Sequence, residues 1–268
     1  MKLRIILLLL MLGLLLSGAV NGKAISLEID GSTSDVSVSL YNATSYVPLR
    51  AVTKLLTPNA QISWKNRQAV VTSNTLYLTA RPGDHYLNAN GRMLYIKDGV
   101  RLINGSTWIP IRVLVKAMGG TTSWNNHTQT VSVTRGHGTI LSGDQYYDSA
   151  SVYWLSRIIH AESTGEPLNG KIAVGNVILN RVKSPEYPYS IYHVIFDETY
   201  GVQFEPVRNG TIYDMPDEES ILAAKLCLDG ASVVGNSLYF LNPDKSSSRW
   251  AIQNCTFVAT IGQHQFYA

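Results

Sequence analysis

Glu162 is the residue on which chemistry can be built. It stands in Ser156-Arg-Ile-Ile-His-Ala-Glu-Ser-Thr-Gly-Glu-Pro167, where Val152, Leu155, Ile158 and Ile159 recur at helical spacing and leave one apolar face. Glu162 falls in the last turn of that helix, and Gly165 and Pro167 stop it. A second helix follows, in which Ile172, Ala173, Val177, Leu179 and Val182 form a broad apolar surface. A carboxylate at the rim of an apolar helix pair has its charged form disfavoured, so its pKa rises. A raised carboxyl keeps its proton near neutral pH, as a general acid must. The competing reading is a glutamate at a helix end, exposed to water.

His160-Ala-Glu162 is also a literal H-x-E, the first half of a zinc deaminase site. The second half, P-C-x-x-C, is missing, because Cys227 and Cys255 are far apart and neither follows a proline. His85 and His127 stand alone, without metal-ligand spacing. The residues therefore predict no metal and no cofactor. Acid/base chemistry often pairs two carboxylates with different pKa values, and Glu166, Glu205 and Asp214 are the other candidates. Glu166, beside Pro167, reads as a turn residue, and Glu205 and Asp214 read as solvated acids in an irregular Pro-containing segment.

The length of 268 residues suits about two domains. Met1-Lys-Leu-Arg4 is basic, Ile5 to Val20 is apolar, and Gly22-Lys-Ala24 offers a cleavage site, so residues 1–24 read as a secretory signal peptide. The alternative is a retained anchor, for which the apolar run is short. Export is expected, with no stable membrane insertion after cleavage.

Residues 25–135 contain an internal repeat. Tyr46-Val-Pro-Leu-Arg50 is echoed by Trp108-Ile-Pro-Ile-Arg112, Trp64 by Trp124, and the strand Ala69–Thr72 by Thr130–Thr134. Asn90-Gly91 marks a hairpin turn. This pattern resembles the copper amine oxidase N-terminal-like domain, and the resemblance implies no copper chemistry. Tyr46, Trp64, Trp108 and Trp124 are expected to form the core of each half, with stacking on sugars as the alternative. From Ile25 to Asp144 there are 11 Lys+Arg and 6 Asp+Glu, net +5; from Gln145 to Ala268 there are 8 and 13, net −5. The basic N-terminal domain is expected to favour an anionic cell wall. No basic-aromatic motif of a nucleic-acid binder is present.

Residues 136–145 read as a Gly-rich linker. In residues 146–268, Ser190–Phe196 predicts a short helix. Asp217 caps a helix that runs to Leu228 with Glu218 and Glu219 in its first turn. Ser237–Leu241, Cys255–Ile261 and His264–Tyr267 predict strands. The expected fold class is α+β with two domains: a duplicated small α+β domain, then a mainly helical domain with a small sheet. Gln203, Tyr239, Asn242, His264 and Phe266 mix hydrogen-bonding and stacking groups, as a sugar cleft requires. For Tyr239 and Phe266 the competing place is the core, and for Gln203 and Asn242 it is turn capping. Cys227 and Cys255 are the only cysteines; a bridge between them, worth roughly 3 kcal/mol, and two buried thiols are equally open.

His160-Ala-Glu162-Ser163, Gly165-Glu-Pro167, Ala173–Val182, Gly201-Val-Gln203-Phe204, Leu238–Pro243 and Ile261–Tyr267 together, in order, resemble the spore-cortex-lytic cell wall hydrolase family of the SleB type. The resemblance implies a lysozyme-like fold and cleavage of peptidoglycan glycan strands by lytic transglycosylation, at a wall or spore envelope. It implies Glu162 as the catalytic residue, with Ser163, Gln203, Phe204, Tyr239, Asn242, His264 and Phe266 around the substrate. A hydrolytic muramidase and a non-catalytic wall-binding protein are the alternatives.

Overall fold

A computed structural model describes residues 25–136, 138–199, 201–246 and 249–268. The signal-peptide reading of residues 1–24 lies outside the described residues. The N-terminal half runs β1 (Ser26–Ile29), β2 (Ser32–Ser34), β3 (Ser39–Tyr41), β4 (Thr44–Pro48), α1 (Leu49–Leu56), β5 (Gln61–Lys65), β6 (Gln68–Thr72), β7 (Tyr77–Ala80), β8 (Tyr86–Ala89), β9 (Arg92–Tyr95), β10 (Arg101–Ile103), β11 (Ser106–Pro110), α2 (Ile111–Ala117), β12 (Thr121–Asn125) and β13 (Thr130–Thr134). Among the described residues these strands form three sheets, ordered β12-β13-β1-β2, β10-β11-β4-β3 and β5-β6-β7-β8-β9.

Two strand–helix–hairpin units share one logic. Pro48 and Pro110 each close a strand and stand at the N-cap of the next helix, with φ of −64° and −53°, near the value the ring imposes at a helix start. The two strands, β4 and β11, pair antiparallel. One apolar core, with Tyr46, Leu49, Val71, Leu78, Ile109, Leu114 and Val133, fills this half. The expectation that all four repeat aromatics are core is corrected here. Tyr46 is buried and donates its hydroxyl to the Gly99 carbonyl, and Trp108 is half-buried, but Trp64 and Trp124 are 53% and 42% exposed. β5 and β12 are edge strands, and the valines of β6 and β13 already fill the space beneath them.

The C-terminal half runs α3 (Gly143–Tyr146), α4 (Ser149–Ser163), α5 (Leu168–Lys183), α6 (Ile191–Ile195), α7 (Glu205–Asn209), a 3₁₀ turn (Thr211–Tyr213), α8 (Glu218–Leu228), β14 (Tyr239–Leu241), α9 (Trp250–Asn254), β15 (Phe257–Ile261) and β16 (His264–Tyr267). The last strands pair as β14-β16-β15. α4, α5 and α8 pack on one another around Leu155, Ile158, Ile159, Ile172, Ile178, Ala223 and Leu226. Gly175 makes the close approach possible: a Cβ there would lie 2.7 Å from the Cys227 sulfur and 2.9 Å from Ile159. Asp148 and Asp217 cap α4 and α8 by accepting from the Ser151 and Ser220 amides. Buried Lys171 pins α5 to α8, donating to Asp217 at 3.2 Å and Ser220 at 3.0 Å. Cys227 is buried, Cys255 is half-buried, and both are free thiols.

The segment read as a linker is packed rather than loose. Ile140 joins the N-terminal core, Ser142 and Gln145 form a capping box, and the Gly143 amide donates to the Asn90 carbonyl. The halves are clamped at Asp229, just past α8, whose side chain is 1% exposed. It accepts from Arg92 on β9 at 2.6 Å, Lys116 on α2 at 2.8 Å and Tyr147 at 3.1 Å. Burial works against the Asp229 charge, but Arg92 and Lys116 prevail and lower its carboxyl below the ordinary range. Among the described residues no helix is long and apolar enough to cross a membrane.

Candidate functional site

The site forms where α4 turns into α5. Along α4, Trp154, Ile158 and Glu162 follow at i, i+4 and i+8, so they share one flank. His160 projects to the other side, with Nδ1 3.4 Å from the Asp217 carboxylate. The H-x-E pair is therefore split between two faces of the helix. Glu162 is half-buried. Its carboxyl is pushed up to about 7, first by burial and then by the charge of Glu205, while Arg181 opposes the shift. Glu205 itself is exposed and paired with Arg208 at 2.5 Å.

Arg181, from the last turn of α5, is a site residue that the sequence reading did not single out. It is 7% exposed. Its Nε donates to the Leu238 carbonyl at 2.8 Å, while Nη1 is buried without a hydrogen-bond partner. The guanidinium faces the rings of Tyr187, Phe204 and Tyr239 at 4.9, 5.2 and 5.7 Å. Burial lowers its pKa, and the Tyr187, Tyr239, Asp197 and Glu162 charges oppose that. Tyr187 hydrogen-bonds Tyr239, and burial pushes the Tyr187 hydroxyl up. A signal existed in the sequence: Arg181 follows Val177 by four and Ile178 by three, so it lies on the face that those buried residues define.

The other expected site residues divide. Tyr239 is half-buried beside Arg181, with the Trp250 ring 5.2 Å away, edge to face. Gln203 is half-buried and donates to the Gly201 carbonyl at 2.9 Å. Asn242 caps a turn, accepting from the Asp244 amide and donating to Gln263. Three residues face inward instead. Ser163 is buried and its hydroxyl donates to the Ile159 carbonyl. Phe204 and Phe266 are 3% and 0% exposed and belong to the core. Ser163 lies on the inner face of α4, Phe204 at the N-cap of α7 and Phe266 on the inner side of β16, where the C-terminal half packs its cores.

Glu166 sits four residues past Glu162 and has a different setting. It is 6% exposed and accepts the Gln263 amide at 3.1 Å. Gly262 makes room for it, since a Cβ there would land on the carboxyl. His264 Nδ1 lies 3.9 Å from Glu166, and its ring meets those of Phe240 at 5.4 Å and Phe266 at 6.3 Å. Burial lowers the His264 pKa, with Glu166 opposing. Asp214 is exposed. What the arrangement offers chemically is one protonated carboxyl near neutral pH, a buried cation with a free donor, and aromatic faces beside it.

Two family models match the chain: Cell Wall Hydrolase over residues 165–267, and Copper amine oxidase N-terminal domain over residues 20–133. A spore cortex-lytic enzyme from Bacillus cereus is 36% identical over 120 residues, which are 45% of this chain and 45% of that protein. The spore cortex-lytic enzyme of Halalkalibacterium halodurans is 35% identical over 120 residues, 45% of this chain and 35% of that protein. The chain thus spans less than half the length of these relatives. Among solved structures, the catalytic domain of the germination-specific lytic transglycosylase SleB from Bacillus anthracis is 34% identical, with 48% of this chain and 100% of that chain covered at a TM-score of 0.42.

Proposed function

We propose, for a chain whose C-terminal domain belongs to the cell wall hydrolase family, that it degrades peptidoglycan by cleaving the glycosidic bond between N-acetylmuramic acid and N-acetylglucosamine as a lytic transglycosylase. The observation that carries this reading is Glu162 at the α4–α5 corner, whose carboxyl is pushed up to about 7 by burial and by the charge of Glu205, against the opposing Arg181. In the proposed cycle protonated Glu162 gives its proton to the bridging oxygen as the C1–O bond breaks. The resulting carboxylate then takes the proton of the muramyl C6 hydroxyl, whose oxygen bonds C1 and closes a 1,6-anhydro ring. Glu162 ends protonated again and no water is consumed. One carboxyl near neutral pKa suits both steps. Glu166 accepts the Gln263 amide and Glu205 is paired with Arg208, so each already has a structural partner, which favours the single-carboxyl cycle over one with a second carboxylate as general base.

The aromatic rings of Tyr187 and Tyr239 around Arg181 support a sugar-binding role for that wall, and Gln203 and Asn242 carry the polar edge. The names of the relatives support a wall or spore-envelope substrate. The pattern of residues 1–24 supports export. The two strand–helix–hairpin units support reading residues 25–135 as a duplicated module, and a second apolar cluster centred on α4, α5 and α8, with Tyr86, Met93 and Tyr95 packed against it, supports residues 146–268 as the catalytic domain. Incubating the purified protein with sacculi tests the activity: released muropeptides and falling turbidity are expected, whereas pelleting with the sacculi without release would mark a wall-binding protein.

A further inference from the structure

The geometry points to a second carbohydrate site, in the N-terminal half: the cavity beside Trp124 takes a carboxylate-bearing saccharide of the muramyl type, its ring on the indole and its carboxylate on Arg112 and Lys97. This inference rests on the peptidoglycan reading for the identity of the sugar. The cavity, about 500 Å³, opens between α2, β12 and the Ile96–Asp98 segment, within the size range of small-molecule sites of about 300–1,000 Å³. Trp124 is 42% exposed and Leu40, on the same lining, is 60% exposed. A large flat apolar face with a polar N–H edge suits the C–H face of a pyranose.

Charge decides the kind of sugar. Arg112 and Lys97 line the cavity, are exposed, and have no side-chain hydrogen bond or ion pair among the described residues. Asp98 also lines it, but accepts from Asn42 at 2.8 Å. Two free cations against one engaged acid favour an anionic ligand. The matching unit makes the point by contrast. Arg50, the counterpart of Arg112, reaches back 3.5 Å to the Ile62 carbonyl, and Trp64, the counterpart of Trp124, is exposed but is not among the residues lining this cavity. The site is also fixed to the catalytic half: Tyr95, on its wall, donates to Asn169 in the first turn of α5 at 3.0 Å.

Calorimetric titration of the full chain with the disaccharide N-acetylglucosaminyl-N-acetylmuramic acid, and with neutral chitobiose, tests the site. The parent is expected to prefer the carboxylate-bearing sugar. Trp124→Ala and Arg112→Glu are expected to weaken it at least ~10-fold, Trp64→Ala to leave it unchanged, and all three to keep the parent's melting temperature and its turnover of soluble glycan fragments. An isotherm unchanged by both Trp124→Ala and Arg112→Glu, or equal affinity for chitobiose, would overturn the proposal. If the parent fails to degrade peptidoglycan while these affinities hold, the catalytic reading falls and this site stands.

Discussion

Glu162 and Glu166 stand four residues apart on either side of one helix corner, and their surroundings are opposites. Glu166 is finished: it accepts a backbone amide, a glycine gives it room, and it is shut away from solvent. Glu162 is unfinished. Burial and a neighbouring acid raise its pKa to about 7, and the buried cation that acts on it, Arg181, still has an unused donor. A buried polar group without a partner is destabilising in the free protein, and Arg181 Nη1 is one of five such side-chain atoms among the described residues, His264 Nδ1 beside Glu166 being another. The comparison teaches that a carboxylate which holds the corner is closed off and met by a backbone donor, whereas the one suited to chemistry stays partly open with its charged form disfavoured.

The comparison can be broken most severely by exchanging roles. Glu162→Gln keeps the shape but removes the proton, and turnover on sacculi should fall by at least ~10²–10⁴-fold with the fold intact. Glu166→Ala should do the reverse. It strands the Gln263 amide and should lower stability by about 1–3 kcal/mol, seen in chemical denaturation, while the rate per folded molecule stays near the parent's. A rate loss in Glu166→Ala as deep as in Glu162→Gln would erase the distinction.

Acidity sharpens it further. With Glu162 near 7, the rate should fall roughly tenfold per pH unit above about pH 7, as the proton donor is lost. The folded-state pKa lies above the ordinary value of 4.5, so the stability tied to this proton is full below 4.5 and lost as pH rises through about 7. The melting temperature of Glu162→Gln should therefore gain on the parent's between about pH 5 and pH 8. The smallest expected effect is Glu205→Gln. Removing that charge should move the alkaline limb of the rate profile down by less than ~1 pH unit and leave the maximum rate intact. Loss of activity there would promote Glu205 to a second catalytic acid.

Local patterns carried much of this into the sequence. Asp217, Leu228 and Ser190 mark helix ends that the structure reproduces, because capping is decided within a few residues. The opening expectation, a carboxyl at the rim of an apolar helix pair, rested on the same short-range spacing. What the spacing hid were pairings across the chain. Arg92 meets Asp229 from the other half, and Arg181 is buried by rings from three separate segments. Ser163, Phe204 and Phe266 were read toward the substrate, but residues adjacent to a site in sequence alternate between its surface and the core behind it. Trp64 and Trp124 failed as core residues because strand order, which sets the edges, is not a local property.

The most direct test of the central claim, that a single carboxyl serves as both acid and base, is mass spectrometry of the muropeptides released from sacculi by the parent and by Glu162→Gln. The account predicts 1,6-anhydro-muramyl ends from the parent and no release from the variant. Reducing muramic acid ends in the parent digest would contradict it, because they require an attacking water and a second group to position it.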